Sequence, residues 1–365
     1  MPTEVKRDPA SRPHRVYLVG HPRSLTWPVP LDLGAAPARW RALQVGPYEA
    51  KTRLQAFAMG IKAVGGEPLS LPQSESARLL KLIESRPEEH GVLLAFTSGM
   101  HPGEGWARGV LRGAGIPLVV LDLGYINRAQ GPQDATGTNQ IGIGRIGWIP
   151  DISCPSDRWD ALKLSISPPA APTREKIALV LGQMPADSQH GMNVAQMSTY
   201  LSERAGFWQA RGYQIRFRPH PGSMHSTLEH VVGAELRQCN VETLTKAFSE
   251  TRVAITYNST SGVEAILAGV PVDCAPDAHY ARVADYGWGE IAGKEGRPFV
   301  GAVETREYFH RLSYAQWLIP EIQNGSAIRF LAKAAIPKLH ALIGSAEAEL
   351  AARLAMINQT QEATA

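Results

Sequence analysis

Cysteine is scarce in this chain: three residues in 365, Cys154, Cys239 and Cys274, an odd number with no CxxC or CxxxH spacing among them. That excludes a disulfide framework and a thiolate zinc site, and it suits a reducing compartment. Long apolar runs are missing too. No stretch approaches the ~20 residues of a membrane span, and the opening MPTEVKRDPASRPHR is polar and proline-bearing where a signal peptide would carry an apolar core. A soluble, cytoplasmic protein with no membrane span is therefore expected. Internal repeats are absent, and so is a DxD-type carboxylate cluster of the kind that holds a metal on a phosphate, which leaves the expected metal set at none. What remains is ordinary globular composition, 44% hydrophobic and 19% charged, in a length that suits two domains.

Net charge is small, +3, but unevenly spread. Residues 1–62 hold ten Lys and Arg against four Asp and Glu, a surplus of six, so the rest of the chain carries three net negative charges. A basic first segment fits an anionic partner such as DNA, a lipid-linked phosphate or an acidic glycan; it equally fits a solvated surface with a basic tail.

The stretch on which function turns is Thr251 to Pro276, TRVAITYNSTSGVEAILAGVPVDCAP. Val253–Ile255 is a short β-prone run that ends at Tyr257-Asn258, where small polar residues take over. Ser259, Thr260 and Ser261 offer hydroxyls, and with Gly262 they offer backbone N–H groups at the start of an apolar-periodic helix closed by Gly269. Such a turn joins unpaired N–H groups to the positive end of a helix dipole, which suits a phosphate. Glu264, one turn inside, can accept hydrogen bonds from a sugar hydroxyl. The competing structural reading makes Ser259 an N-cap and Glu264 a complement to the dipole. A second feature favours the anion site: the strand candidate Gln214–Phe217 runs into Arg218-Pro219-His220-Pro221-Gly222, where prolines fix the backbone and Arg218 and His220 project from a strand end. About one helix and one strand of a parallel sheet fit between the two loops, so both reach the same crevice.

An [RK]-P-H-P loop followed by N-S-T-x-G-x-E-A-x-x-x-G-x-P-V resembles the nucleotide-sugar-binding half of GT-B glycosyltransferases, closest to the capsule-polysaccharide and Kdo-transferase-like group. The residues that carry it are Arg218, His220, Asn258, Ser259, Thr260, Gly262, Glu264, Ala265, Gly269, Pro271 and Val272. The resemblance implies a GT-B fold of two Rossmann-like doubly wound α/β domains around a cleft. It implies a donor site of Arg218, His220, Asn258, Ser259, Thr260, Ser261, Gly262 and Glu264, with a nucleotide sugar as co-substrate and no cofactor.

The rest of the chain is read against that layout. Arg15–Gly20 is a strand candidate leading to His21. A helix is expected at Lys51–Ala63, another near Ser74–Ser85, a strand at Val92–Phe96 ending near His101, a helix at about Gly105–Arg112, and a strand at Pro117–Leu121 with Asp122 just beyond it. Gly131–Pro155, rich in Gly, Asn, Gln and Thr, reads as a functional loop near the cleft. Ser165–Thr173, SISPPAAPT, reads as a linker. Ile177–Leu181 opens the second half, followed by a loop holding His190 and a helix to about Arg211. Asp277–Gly289 carries Tyr280, Arg282, Asp285 and Tyr286 where nucleotide-contacting groups are expected. Arg306–Ile343 reads as helices, Trp317 among them, and Glu347 onward as a fraying end. The domains are accordingly residues 1–165 for the acceptor, 174–304 for the donor, and 305–365 as helices returning across both.

A base for the acceptor hydroxyl is expected at a strand end of the first domain: Asp122, His101 or His21, with His190 as the second-domain candidate. For each, a structural turn or cap is the competing reading. The acceptor is open. The chain is also similar to phage-encoded transferases acting on hydroxylated bases in DNA, which implies duplex DNA as acceptor and the host cytoplasm as location. A glycan or lipid-linked acceptor of capsule synthesis is the alternative. A sugar-nucleotide epimerase or a non-catalytic binder on the same scaffold is a further one.

Overall fold

The computed structural model describes residues 40–44, 52–70, 92–98, 109, 111–129, 134, 136–169, 174–184, 190, 192–220, 235–236, 242–284 and 301–364. In the first unit these form β1 (Trp40–Gln44), α1 (Thr52–Ala63), β2 (Gly66–Ser70), β3 (Val92–Ser98), β4 (Leu118–Leu123) and β5 (Asn139–Ile143). A short α2 (Asp157–Ala161) leads to the second unit: β6 (Ile177–Leu181), α3 (Val194–Gln209), β7 (Gln214–Arg218), β8 (Glu235–Leu236), α4 (Leu244–Glu250), β9 (Val253–Ile255), α5 (Thr260–Leu267) and β10 (Val272–Asp273). Then come α6 (Ala302–Ser313), β11 (Gln316–Trp317), α7 (Ile319–Gln323), α8 (Ser326–Ala335) and α9 (Pro337–Thr364).

There are two sheets, each predominantly parallel, and their strands alternate with helices, so the fold is α/β of the GT-B type. The second sheet runs β10-β9-β6-β7-β8, every neighbouring pair parallel. Counted in its own chain order this is 5-4-1-2-3, the doubly wound pattern. Its central strand, IALVL, is buried at all five positions, as a strand covered by helices on both faces must be. The first sheet runs β11-β5-β4-β3-β1-β2, parallel from β4 to β2, with β5 and β11 added antiparallel at one edge.

The chain crosses back. On α6, Tyr308, Phe309 and Leu312 pack into the core that surrounds α5, whereas Trp317, Ile319, Ile322 and Ile328 join Phe57, Ile61 and Phe96 in the core of the first unit. Close approach there depends on Gly60, where any side chain would collide with the carbonyl of Ile322 and the methyl of Ile328.

Two expectations need correction. Gly131–Pro155 is not one loop, since Asn139–Ile143 inside it is a strand; pairing with β4 and β11 satisfies a backbone whose polar side chains hid it. Trp317 lies on β11 instead of a helix, with its indole N–H given to the Tyr314 carbonyl. The last helix runs on to Thr364. Ser165–Thr173 is docked where it is described: Ser167 N–H donates to the Leu267 carbonyl at 2.8 Å, and the Pro168 carbonyl occupies the space that a Cβ on Gly269 would need. The expected strand at Arg15–Gly20 and helix at Ser74–Ser85 lie outside the described residues.

Candidate functional site

In the second sheet the chain leaves β6 for β7 on one side and returns to β9 on the other, so the crevice that such sheets use for ligands opens at the carboxyl ends of β6 and β9. Gln183, two residues past β6 and 8% exposed, holds those ends together. Its Oε1 accepts the Asn258 N–H at 2.8 Å and the Thr256 hydroxyl at 3.2 Å, and its Nε2 donates to Asn258 Oδ1 at 2.8 Å. A primary amide is suited to this, having two lone pairs and two N–H groups on one planar head. The next strand is tied in by Gly182 N–H, which donates to the Arg218 carbonyl at 2.9 Å.

Asn258 leads directly into the expected turn. Ser259 caps α5, its Oγ accepting the Ser261 N–H at 3.3 Å, while the Gly262 N–H donates to the Ser259 carbonyl at 2.9 Å. Two of the N–H groups expected to meet an anion are thus used within the turn, because the cap and a tight first turn satisfy them locally. The hydroxyl-bearing residues Thr260 and Ser261 are half-buried. Tyr280 differs from its expected role. It is fully buried, donates its hydroxyl to the Ser259 carbonyl at 3.0 Å, and lies flat enough against Gly262 that no side chain fits there. It braces the turn from behind. Arg282 is exposed, and Asp285 and Tyr286 lie outside the described residues.

Glu264, one turn further on, is solvent-exposed, yet surrounding protein pushes its carboxyl pKa up while Arg128 and Arg218 pull it down. Arg218 Nη1 donates to the Glu242 carbonyl at 2.7 Å, which fixes its arm at the end of β7. His220, two residues on, is half-buried. Arg218, Asn258, Ser259, Thr260, Ser261, Gly262 and Glu264 are therefore brought together on adjoining strand ends and the helix they lead into.

The base candidates divide. His21 and His101 lie outside the described residues. Asp122 sits on β4 itself, one position before its end, because pairing with β5 continues through Leu123. Its Oδ1 accepts the Leu123 N–H at 2.7 Å and faces the Arg53 guanidinium at 3.7 Å. Arg53 is 7% exposed and donates to Ser98 Oγ at 2.7 Å. His190 has both ring nitrogens engaged: Nδ1 accepts the Met192 N–H at 3.0 Å and Nε2 meets the Met184 carbonyl at 3.1 Å. Its ring lies edge-on to Tyr257, 5.9 Å between centroids.

Behind the crevice the two units share an aromatic junction. Tyr125, three residues past Asp122, packs its ring 4.2 Å from that of His279, which shares a hydrogen bond of 2.9 Å with the Tyr308 hydroxyl. His279 Nε2 is buried with no hydrogen-bond partner among the described residues. Burial, with Arg145 nearby, lowers its pKa to about 3.

Sequence reasoning missed Gln183, Arg53 and Arg128. Only Arg53 carried a local signal, a cation in the first turn of a helix, where the dipole disfavours it. Among the described residues no group of three or more His, Cys, Asp or Glu could hold a metal, and no helix is long and apolar enough to cross a membrane.

No protein-family model matches the chain. No curated protein matches it either. Among solved structures it is similar to the β-Kdo 2,4 transferase of KpsC from Thermosulfurimonas dismutans at 14% identity, over 76% of this chain and 91% of that one, with a TM-score of 0.49. The β-Kdo 2,7 transferase of the same KpsC matches at 13% identity, over 79% and 99%, with a TM-score of 0.46. The UDP-GlcNAc 2-epimerase of Methanocaldococcus jannaschii matches at 9% identity, over 80% and 99%, with a TM-score of 0.31. Likeness at such identities concerns fold alone.

Proposed function

We propose that this chain is a glycosyltransferase that moves a sugar from a nucleotide sugar to a hydroxyl acceptor. The observation that carries the reading is the second sheet's switch point, where Gln183 locks Asn258 at the start of the turn that bears Thr260 and Ser261 and leads to Glu264. Hydroxyls, a guanidinium and a carboxylate on one wall are what a donor with a phosphate and sugar hydroxyls requires: the cation and hydroxyls take the phosphate, the carboxylate a sugar hydroxyl. In transfer, the acceptor oxygen forms its bond to the anomeric carbon as the bond to the phosphate oxygen breaks. The developing phosphate charge falls on Arg218 and the turn, and the hydroxyl proton goes to a base on the first unit. Asp122 and His101 are ranked for that role ahead of His21, with His190 next. Seven of the ten cations behind the basic surplus that points to DNA lie outside the described residues, so the acceptor assignment stops at the hydroxyl group, and DNA or a glycan is an outcome of the test.

The test is hydrolysis and thermal stabilisation with a panel of sugar nucleotides, followed by transfer of labelled sugar to hydroxymethylated duplex DNA or to glycan acceptors. Turnover of at least one donor by wild type, lost in Arg218→Met, is expected. An isomerised donor would make it an epimerase, and no turnover or stabilisation with any donor would sink the reading.

A further inference from the structure

We propose that Arg53 is a positioning residue for the transfer reaction: it fixes one oxygen of the Asp122 carboxylate and leaves the other to take the proton of the acceptor hydroxyl. The inference rests on the reading above, commits it to Asp122 as the base, and adds to it a side chain from α1.

The carboxyl edge of the first sheet turns polar while staying covered. Its neighbouring parallel strands β4, β3 and β1 read LVVLDL, VLLAFTS and WRALQ, and each brings a polar or charged side chain into its last two residues. Gln44, Thr97 and Ser98 are buried there, and Asp122 is half-buried. Buried polar groups cost stability unless they are bonded, and the carboxyl ends of parallel strands are where such sheets hold ligands. The chain that leaves this edge after Leu123 enters the core shared with the second unit, where Tyr125 and Ile126 join Val263, Ala265 and Ile266 of α5. Arg53 comes to the same edge from the first turn of α1 and is 7% exposed. Both the helix dipole and burial disfavour a cation in that place, so folding alone does not select it.

The guanidinium divides its contacts between two strand ends. Nε donates to Ser98 Oγ on β3 at 2.7 Å, while Nη2 stands 3.7 Å from Asp122 Oδ1 on β4. Other arginines of the protein close on their acids. Arg204 gives Nε and Nη2 together to the two oxygens of Asp273, and Arg158 gives Nη1 and Nη2 to those of Glu321 at 2.6 and 2.9 Å. Both oxygens of each of those carboxylates are taken up in a fork, the usual geometry of a structural pair. Asp122 is bonded on one side only. Its Oδ1 accepts the Leu123 N–H at 2.7 Å and faces Arg53; among the described residues no hydrogen bond or ion pair reaches Oδ2, and the side chain is 26% exposed. Ser98 thus holds the guanidinium at a stand-off from which it steadies the carboxylate without closing on it. A base requires this arrangement. As the acceptor oxygen bonds to the anomeric carbon and the bond to the phosphate oxygen breaks, the acceptor proton passes to Oδ2, which has to be unbonded and held in one direction.

The experiment is a double-mutant cycle of Arg53→Met with Asp122→Asn. It reads transfer of labelled sugar from a panel of UDP-, CMP- and GDP-linked sugars to hydroxymethylated duplex DNA, a glycan or water, whichever wild type uses, with calorimetric binding of the same donor and a melting scan of each variant. Arg53→Met is expected to lower kcat by about 10- to 100-fold with donor affinity unchanged, as a misplaced catalytic group does. Arg53→Lys is expected to keep part of the rate, and Arg53→Met to cost nothing further once residue 122 is Asn. Ser98→Ala removes the bond that holds the guanidinium off the carboxylate, so it too is expected to lower kcat although it removes no charge; with Arg53→Lys it carries the test if Arg53→Met fails to fold. The same factor lost in both backgrounds would make Arg53 structural and overturn the inference, as would wild-type turnover in Arg53→Met or a loss of donor binding. Wild-type turnover in Asp122→Asn would place the base elsewhere and overturn it while the donor site stands. A wild type that turns over no donor would overturn it together with the proposed function.

Discussion

Glu264 shows function set against stability within one side chain. Its pKa is raised in the folded state from an ordinary value of 4.5, chiefly by desolvation. Below 4.5 both folded and unfolded chains hold the proton and the residue is neutral to stability; as pH rises above that value the unfolded chain ionises first, and the folded state loses ground. Glu264→Gln should therefore melt higher than wild type at pH 7, with the gap closing toward the acid end, while nucleotide-sugar binding weakens. Melting scans across pH together with calorimetry check both halves, and a variant that melts lower at pH 7 would mean the arginines outweigh desolvation. His279 has the opposite linkage. Its folded pKa of about 3 lies below the ordinary 6.5, so the unfolded chain takes up a proton that the folded one refuses as pH falls from 6.5 toward 3. The slope is about 1.4 kcal/mol per pH unit at most. His279→Phe keeps the ring stack and removes the titration, so urea unfolding at pH 7, 5.5 and 4.5 should show a flatter acid limb than wild type's.

At the scale of elements, the donor turn depends on a pair, Gly262 and Tyr280. A methyl group on Gly262 meets the buried Tyr280 ring, and since Tyr280 also holds the Ser259 carbonyl, the turn must shift. Gly262→Ala is expected to weaken donor binding about tenfold or more and to lower stability by roughly 1–3 kcal/mol. Adding Tyr280→Leu, which returns the space, should recover part of the stability but not the binding, because the hydroxyl contact to Ser259 is gone; additive losses in stability would disprove the steric coupling. This element was legible in advance. Val253–Ile255 and Ile177–Leu181 are apolar runs closed by polar turns, and Gly269 closes the helix between β9 and β10, so composition alone marks their limits. β2 (GEPLS) and β5 (NQIGI) were not legible, because their Gly, Pro, Asn and Gln signal turns and only pairing with neighbours makes them strands. The same holds for the site: Arg218 and the Ser/Thr turn announce themselves by local chemistry, whereas Gln183 acts on Asn258, 75 residues away, through an amide that carries no local signal.

For the whole molecule the question is whether the two sheets unfold together. One core contains Tyr125 and Ile126 of the first unit, Trp159 of the connecting helix, Ala254 and Val263 of the second unit and Phe309 of α6. Arg158, beside Trp159, grips the returning chain: it forms a bidentate pair with Glu321 at 2.6 and 2.9 Å, donates to the carbonyls of Ser313 and Gln316, and lies 3.9 Å over the Trp317 ring. The crossing is thus fastened on both faces of α2, to the shared core by Trp159 and to the first unit's edge strand by Arg158. Such continuity makes a single cooperative transition the expected calorimetric behaviour of wild type. Trp159 is 7% exposed and its ring lies 5.1 Å from that of Phe309, so Trp159→Ala opens a cavity at the centre of the junction, at a cost of about 3–5 kcal/mol. The first unit's own core, built on Phe57, Phe96, Trp317 and Ile322, does not include Trp159 and should outlast that loss. The variant is therefore expected to show two calorimetric transitions where wild type shows one, with nucleotide raising the temperature of the lower. A single transition merely displaced downward would place the cooperative link elsewhere, in the docked segment around Ser167 and Pro168, where Ser167→Pro would remove the bond to Leu267 and test it directly.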